Sequence, residues 1–347
     1  MKRLTALFTA LFTALFTAVL IWTALLPTLA QAEVIELKLS HFLPSTHPTQ
    51  KDFLEPWAAE LERRTNGQVK VTIFPAGSAF GHVAKQFDQV RAGVVDISHG
   101  LTGFPRGRLP RTLIMDLPFM VKSADAASKT LWDLYPEYLK EEYRGLKVLA
   151  LHAHNPGLIH TRDKQIKTMD DLKGLRLRTP SLAISMMLEQ LGATPVGMPP
   201  TQVYENLQKG VLDGNVFPYE AIHGFKLYEV LNYHLDAKAY TTSFYFVMNE
   251  KKYRSLPADV QAVLDDMTGA PLVAKFGPWW NEWDKAGIAD IQKRGNTVTS
   301  LTDEQRQQWR TVLQPTIDKY LDDLEQAGVK NAREIYAKAQ QIITKYE

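Results

Sequence analysis

The sequence predicts an α/β protein: mixed, mostly parallel sheets with helices on both faces. Two stretches carry that reading. From Glu36 to Ser98 the apolar pattern gives strand, helix, strand, helix and strand in succession. The same order returns between Asp171 and Glu220, with very little loop. A third observation is compositional. A chain of 347 residues that is 45% hydrophobic can build full cores and is long enough for two domains. No low-complexity tract or Pro/Ser linker follows the N-terminal segment, so a boundary between domains would not be a floppy tether.

The chain starts with Lys2 and Arg3 ahead of a long apolar run with a repeated ALFT. That run closes on Ala30, Gln31 and Ala32, the small-x-small pattern of a secretory cleavage site. Residues 1–32 are therefore read as a signal peptide cleaved after Ala32, which sends the protein to the periplasm; the length of the run leaves an uncleaved anchor as the alternative. Without Lys2 and Arg3, the 40 basic and 38 acidic residues become 38 of each. That balance, with no tract of clustered Lys and Arg, gives no basic field for nucleic acid. The absence of cysteine excludes disulfides, thiolate metal sites and cysteine nucleophiles.

Taken in order, Leu37 and Leu39 alternate in a strand that leads into His41, Phe42 and a Pro/Ser/Thr turn. Phe53, Trp57 and Leu61 mark the stripe of a helix ended by Asn66 and Gly67. Val69, Val71 and Ile73 form the next strand, and PAGSAFGH is a loop before a helix with Val83, Phe87 and Val90 on one side. Gly93 stops that helix ahead of the strand VVDIS. After Asp125, a helix carrying Leu131, Trp132 and Tyr135 leads to the long apolar strand LKVLALHAHN, which stops at Asn155, Pro156 and Gly157.

In LRLRT, Leu175 and Leu177 face one way, Arg176 and Arg178 the other. Thr179 and Pro180 supply the N-cap and first position of a helix through Leu182, Met186 and Leu191 to Gly192. Arg178 thus stands where a parallel strand ends and a helix begins. Open α/β sheets bind small ligands there, and helix dipoles favour anions. The expected ligand is an anion; a solvated surface arginine is the competing reading.

Beyond the second apolar run, TTSFYFVMN, the pattern turns helical. Val260, Leu264 and Met267 recur at helical spacing, and Gly269 and Pro271 interrupt or kink the helix. Trp279, Trp280 and Trp283 read as core packing rather than an aromatic cage. Charged amphipathic helices from Thr302 carry Trp309, Leu313 and Tyr320.

No nucleophile elbow, phosphate loop, dinucleotide fingerprint or His-Glu-x-x-His motif occurs, so no enzyme or cofactor is expected. His152 and His154 point the same way along a strand, which suits packing or polar contacts, or a shared metal. His41, His47, His82 and His99 could also gather at strand ends, although their spacing defines no ligand set.

The segment from Asp171 to Glu220 resembles the motif region of solute receptors of tripartite ATP-independent periplasmic (TRAP) transporters. The matching residues are Asp171 to Gly174, Arg178, Gly192 to Pro195 and Val203 to Gly214. FPAGSAFG, VRAGVVDIS and GFPRGRLPRTLIMDLPFM are similar to further stretches of that family, so the resemblance covers almost the whole mature chain. It implies a two-lobed periplasmic solute-binding protein with two strand crossings, near Asn155 and Ser243, and a long helix from about Pro257 to Asp284 bracing both lobes. The lobes would be residues 33–155 with 243–284, and 156–242 with 285–347.

It also implies capture of an organic acid for an ion-gradient-driven membrane transporter, with Arg178 as the two-pronged clamp on a carboxylate. A receptor for an ATP-driven importer and an exported enzyme on a two-lobe frame are the alternatives. Two departures point to the ligand. Phe217 stands in GNVFP where many relatives have a carboxylate-holding amide, and a second arginine that some carry near Gly157 is missing, Arg162 being displaced from it. Both favour a monocarboxylate with an apolar or aromatic body, stacked on Phe217 and Phe42, with a core role for Phe217 as the competing reading. The expected binding set is Arg178, Phe217, Asn155, His41, Phe42 and Asn215, without metal. The expected partners are a small organic acid and the TRAP membrane subunits, not nucleic acid, and the mature chain is not itself embedded in the membrane.

Overall fold

A computed structural model describes residues 34–347; the expected signal peptide and its cleavage after Ala32 lie outside these residues. Two sheets organise Ile35–Glu347. The first contains β1 (Ile35–His41), β2 (Val69–Phe74), β3 (Ile97–Leu101), β4 (Leu146–Ala153) and β10 (Ser243–Asn249), in the order β2-β1-β3-β10-β4. The second contains β5 (Leu158–Thr161), β6 (Arg176–Thr179), β7 (Thr194–Gly197), β8 (Gly214–Phe217), β9 (Tyr233–Asp236) and β11 (Thr297–Ser300), in the order β11-β9-β5-β8-β6-β7. Both are mixed. β10 runs antiparallel between β3 and β4, and β5 runs antiparallel between β8 and β9, while the remaining pairs are parallel.

The helices are α1 (Glu55–Arg64), α2 (Val83–Ala92), α3 (Ala124–Leu134), α4 (Leu182–Gln190), α5 (Val203–Gln208), α6 (Tyr219–Gly224), α7 (Glu250–Ser255), α8 (Ala258–Asp266), α9 (Ala270–Lys293), α10 (Asp303–Gln326) and α11 (Ala332–Tyr346). Several sequence signals act as expected. Phe53 and Leu61 are fully buried and Trp57 nearly so. Gly93 ends α2 in the left-handed conformation, at φ 74°. The expected helix start at Thr179 and Pro180 is two residues early. Ser181, in extended geometry, precedes Leu182, so Pro180 belongs to the turn, and Leu182 is exposed rather than part of the buried stripe.

The chain crosses between the sheets three times: at two short strand connections, between Ala153 and Leu158 and between Asp236 and Ser243, and through α7–α9 between Asn249 and Thr297. The brace expected from about Pro257 to Asp284 is instead α8 followed by α9, broken at Gly269, and it continues to Lys293. Helix α9 packs against α3 beside the first sheet and against α6 beside the second. Glycine makes both contacts possible. A Cβ on Gly277 would sit 2.6 Å from Asp125 Cβ at the start of α3, and one on Gly287 would sit 1.8 Å from the Tyr219 carbonyl oxygen at the start of α6.

The tail expected in the second lobe, 285–347, divides between the two cores. Trp309 and Leu313 of α10 bury with Ile159, Leu177 and Leu235 of the second sheet. Farther along, Ile317, Tyr320 and Leu324 join the first-sheet core, as do Ile335, Ala339 and Ile343 of α11. Amphipathic spacing shows that a helix has a buried face, not which lobe covers it. No described helix is long and apolar enough to cross a membrane.

Candidate functional site

Arg178 is the next-to-last residue of β6, which lies between β7 and β8. Alternation sends Leu177 into the second core and Arg178 to the opposite face. The guanidinium is 1% exposed. Its Nε donates to the Met198 carbonyl at 3.1 Å and its Nη1 to the Val216 carbonyl at 3.4 Å. Its Cζ lies 4.2 Å from the centroid of the Phe217 ring. Nη2 has no hydrogen-bond partner among the described residues.

Two positions earlier, Arg176 is half-exposed and forks onto Asp213, with Nε to Oδ2 at 2.9 Å and Nη2 to Oδ1 at 2.6 Å. Arg178, the buried one, makes no salt bridge to a carboxylate among the described residues. Burial pulls its guanidinium down to about 9, so it stays a cation at neutral pH. A buried cation with a free donor is costly unless an anion completes it.

Arg178 lines a cleft that holds about 430 Å³ of empty space, open solvent included. The first lobe supplies an apolar wall of Phe42, Leu101, Phe244 and Trp280, and the second supplies Phe217, Val216, Ala221 and Phe225. His154 also lines it, at the first crossing. Its Nδ1–H donates to the Asn155 carbonyl at 2.5 Å, and burial holds the ring down at about 4, so it is neutral at pH 7. His47 of the first lobe meets Glu220 of α6 across the cleft, Nε2 to Oε1 at 2.6 Å, with both side chains buried. Next to His47, the chain makes a π-helical turn, Thr49–Leu54, a wide turn that often marks functional sites.

Arg178, Phe217 and Phe42 of the expected set meet in the cleft, and His41, Asn155 and Asn215 do not line it. His41 Nε2 pairs with Gln50 Oε1 at 2.8 Å while its Nδ1 accepts from the Leu43 N–H at 3.2 Å, so both ring nitrogens are used internally. Asn155 is a structural lock. Its Oδ1 accepts from the Ala124 N–H at 2.9 Å and its Nδ2 donates to Asn281 Oδ1 at 3.0 Å and Asp284 Oδ2 at 2.8 Å. Asn215 lies in register with Arg178 and is fully buried, its amide without partners among the described residues.

Arg162 donates to the Leu207 carbonyl at 2.6 Å, outside the cleft. A side chain at Gly157 would meet the Tyr240 ring at 2.3 Å, so a tyrosine fills the space a second arginine would need. His152 is internal, its Nε2 2.9 Å from His99 Nε2, and its Nδ1 accepts from Trp280 Nε1 at 3.3 Å. Among the described residues, no three metal-ligating side chains gather in a site. Trp280 and Trp283 are buried in the first-lobe core, Trp280 with one edge on the cleft.

Sequence reading missed His47, His154, Glu220, Phe225, Phe244 and Trp280 as lining residues. Only their meeting across the cleft distinguishes them. Glu220 follows GNVFPY directly, and that adjacency was the one local hint.

Over residues 39–323 the chain matches the protein family described as bacterial extracellular solute-binding protein, family 7. Among solved structures, it is similar to a marine-metagenome TRAP solute-binding protein specific for aromatic acid ligands, held with 3-hydroxybenzoate; the two are 34% identical over 90% of this chain and 99% of that one, with a TM-score of 0.87. A TRAP solute-binding protein from Rhodoferax ferrireducens T118 with copurified benzoate is 30% identical, over 90% and 98% of the two chains, with a TM-score of 0.87. One from Bordetella bronchiseptica, with bound (R)- and (S)-mandelate, is 28% identical over 90% and 100%, with a TM-score of 0.82.

Proposed function

Because the chain belongs to family 7 of the bacterial extracellular solute-binding proteins, the two-lobed TRAP receptors for organic acids, we propose that its own ligand is a monocarboxylate with an aromatic or apolar body. One observation carries this reading: Arg178, a buried cation whose Nη2 has no partner among the described residues, lines a cleft walled mainly by apolar and aromatic side chains. A carboxylate is the anion whose two oxygens fit a guanidinium fork, and the rings of Phe217, Phe42 and Phe244 suit a flat apolar body. The single arginine favours one carboxylate over two. The ligands of the similar proteins, benzoate, 3-hydroxybenzoate and mandelate, support the same class.

The lobes close on the ligand by turning about the two short strand connections, a hinge motion between rigid halves. After cleavage of residues 1–32 the receptor works in the periplasm and delivers its cargo to TRAP membrane subunits powered by an ion gradient. Isothermal titration with benzoate, mandelate, glucuronate and C4-dicarboxylates tests the ligand class. Tight binding of the aryl acids, at least about a hundredfold over the dicarboxylates, is expected; dicarboxylates or uronates binding more tightly than any aryl acid would refute it.

A further inference from the structure

The cleft holds one polar constellation that a carboxylate clamp does not use. Glu220 lines the cleft at 3% exposure, with Oε1 2.6 Å from His47 Nε2. The contact is close but badly aligned, so neither atom completes a hydrogen bond among the described residues. His47 Nδ1 accepts from the Thr49 N–H at 3.3 Å, which places the proton of the neutral ring on Nε2, toward Glu220. On its other side, Glu220 is pinned through its backbone, its N–H donating to Asp284 Oδ1 at 2.8 Å. A buried carboxylate with acceptor capacity left over is costly, and a donor from the cleft would relieve that cost.

Its position relative to Arg178 follows from a row of rings. The guanidinium lies over Phe217 at 4.2 Å, Phe217 stacks on Phe225 at 5.8 Å between centroids, and Phe225 tilts against His47 at 5.6 Å. A continuous run of ring contacts thus links the cation to the residue beside the carboxylate. A flat acid lying along that run, with its carboxylate on Arg178, turns its far edge toward Glu220.

We propose that Glu220, beside His47, determines specificity by accepting a hydrogen bond from a hydroxyl on the ligand ring, so that the preferred cargo is a hydroxylated aryl carboxylate. This rests on Arg178 being the carboxylate clamp. A methyl group in the same place has nearly the same size but donates nothing, and it leaves the buried carboxylate unpaired. Sites built around a hydrogen bond discriminate against such analogues far more strongly than apolar pockets do.

The test is isothermal titration of the full mature protein with benzoate, the three hydroxybenzoates and the three toluates. In the wild type, one hydroxybenzoate should bind at least about tenfold more tightly than its toluate isostere. Glu220→Gln should shrink that ratio, and the paired change His47→Phe with Glu220→Leu should bring it to about one. A ratio taken within one variant cancels whatever the substitution costs in folding or closure. If the paired variant does not fold, the wild-type and Glu220→Gln ratios decide. Wild-type protein that binds benzoate and the toluates yet ignores the hydroxyl overturns this proposal alone, as does a ratio that survives the substitutions. Failure to bind any aryl acid overturns the aryl-acid reading of the site and this proposal with it.

Discussion

Replacing Arg178 by Met should separate stability from binding. Arg178 is 1% exposed, and burial holds its guanidinium down at about 9. At about 1.4 kcal/mol per tenfold, that depression corresponds to a cost on the order of 5 kcal/mol for keeping the cation buried. The cost is fully present at neutral pH, where both the folded and unfolded chains carry the charge. Met fills similar space with no charge, so the ligand-free variant should melt at the wild-type temperature or a few degrees above it. Its affinity for an aryl acid should fall by about 2–5 kcal/mol, roughly thirty- to several-thousandfold, because the ligand carboxylate would then be buried against the Met198 and Val216 carbonyls with nothing to pair it. Arg178→Lys should fall between the two, since it keeps a charge but loses the fork and the stacking on Phe217. Differential scanning calorimetry of the ligand-free protein and titration calorimetry with benzoate give both readouts. A Met variant that binds within threefold of wild type, or that melts more than about 10 °C lower, would refute the reasoning.

Three further outcomes follow from the same geometry. In Gly287→Ala the new Cβ has backbone 1.8 Å away, so urea unfolding should show a loss of about 1–3 kcal/mol from overpacking; an unchanged midpoint would mean α9 is not seated on α6. Asn155→Leu strips partners from the Ala124 N–H and from Asp284, whose carboxyl burial already raises to about 6. A loss of about 1–3 kcal/mol in the same assay is expected, with a larger penalty as rising pH ionises Asp284. The third outcome concerns acid. His41, His154 and His234 are held at about 4, and His99, His152 and His160 well below 6.5, in each case chiefly by burial. Because their folded values lie below the unfolded one, the stability they contribute is complete above about pH 6.5 and drains as pH falls toward and through 4, by up to about 1.4 kcal/mol per pH unit for each ring. Buried Asp116, Glu142 and Asp284, whose carboxyls burial raises to about 7, 7 and 6, act in the opposite direction over this range, so the check is an NMR titration of the imidazoles, and rings that take up their proton above about pH 6 would contradict this.

The order of elements was legible in the sequence because it depends on local chemistry. Alternation in LRLRT, the stop at Gly93 and the stripe of Phe53, Trp57 and Leu61 each act within a few residues. Arg178, Phe217 and Phe42 could be named in advance because each stands at or beside a strand end, where the path of the chain aims a side chain into the cleft. His41 and Asn155 stand at similar places, yet they spend their hydrogen bonds on Gln50 and Leu43, and on Ala124, Asn281 and Asp284. Partners that far along the chain leave no mark on local pattern. By itself, then, the sequence determined the strand and helix order, the lack of thiol chemistry and the presence of a cation at the end of β6. Tertiary structure alone decided that this cation has no internal carboxylate, that α10 serves both cores, and that His47 meets Glu220 across the cleft. Local propensity is written residue by residue, whereas charge balance in a buried site depends on which distant segments arrive there.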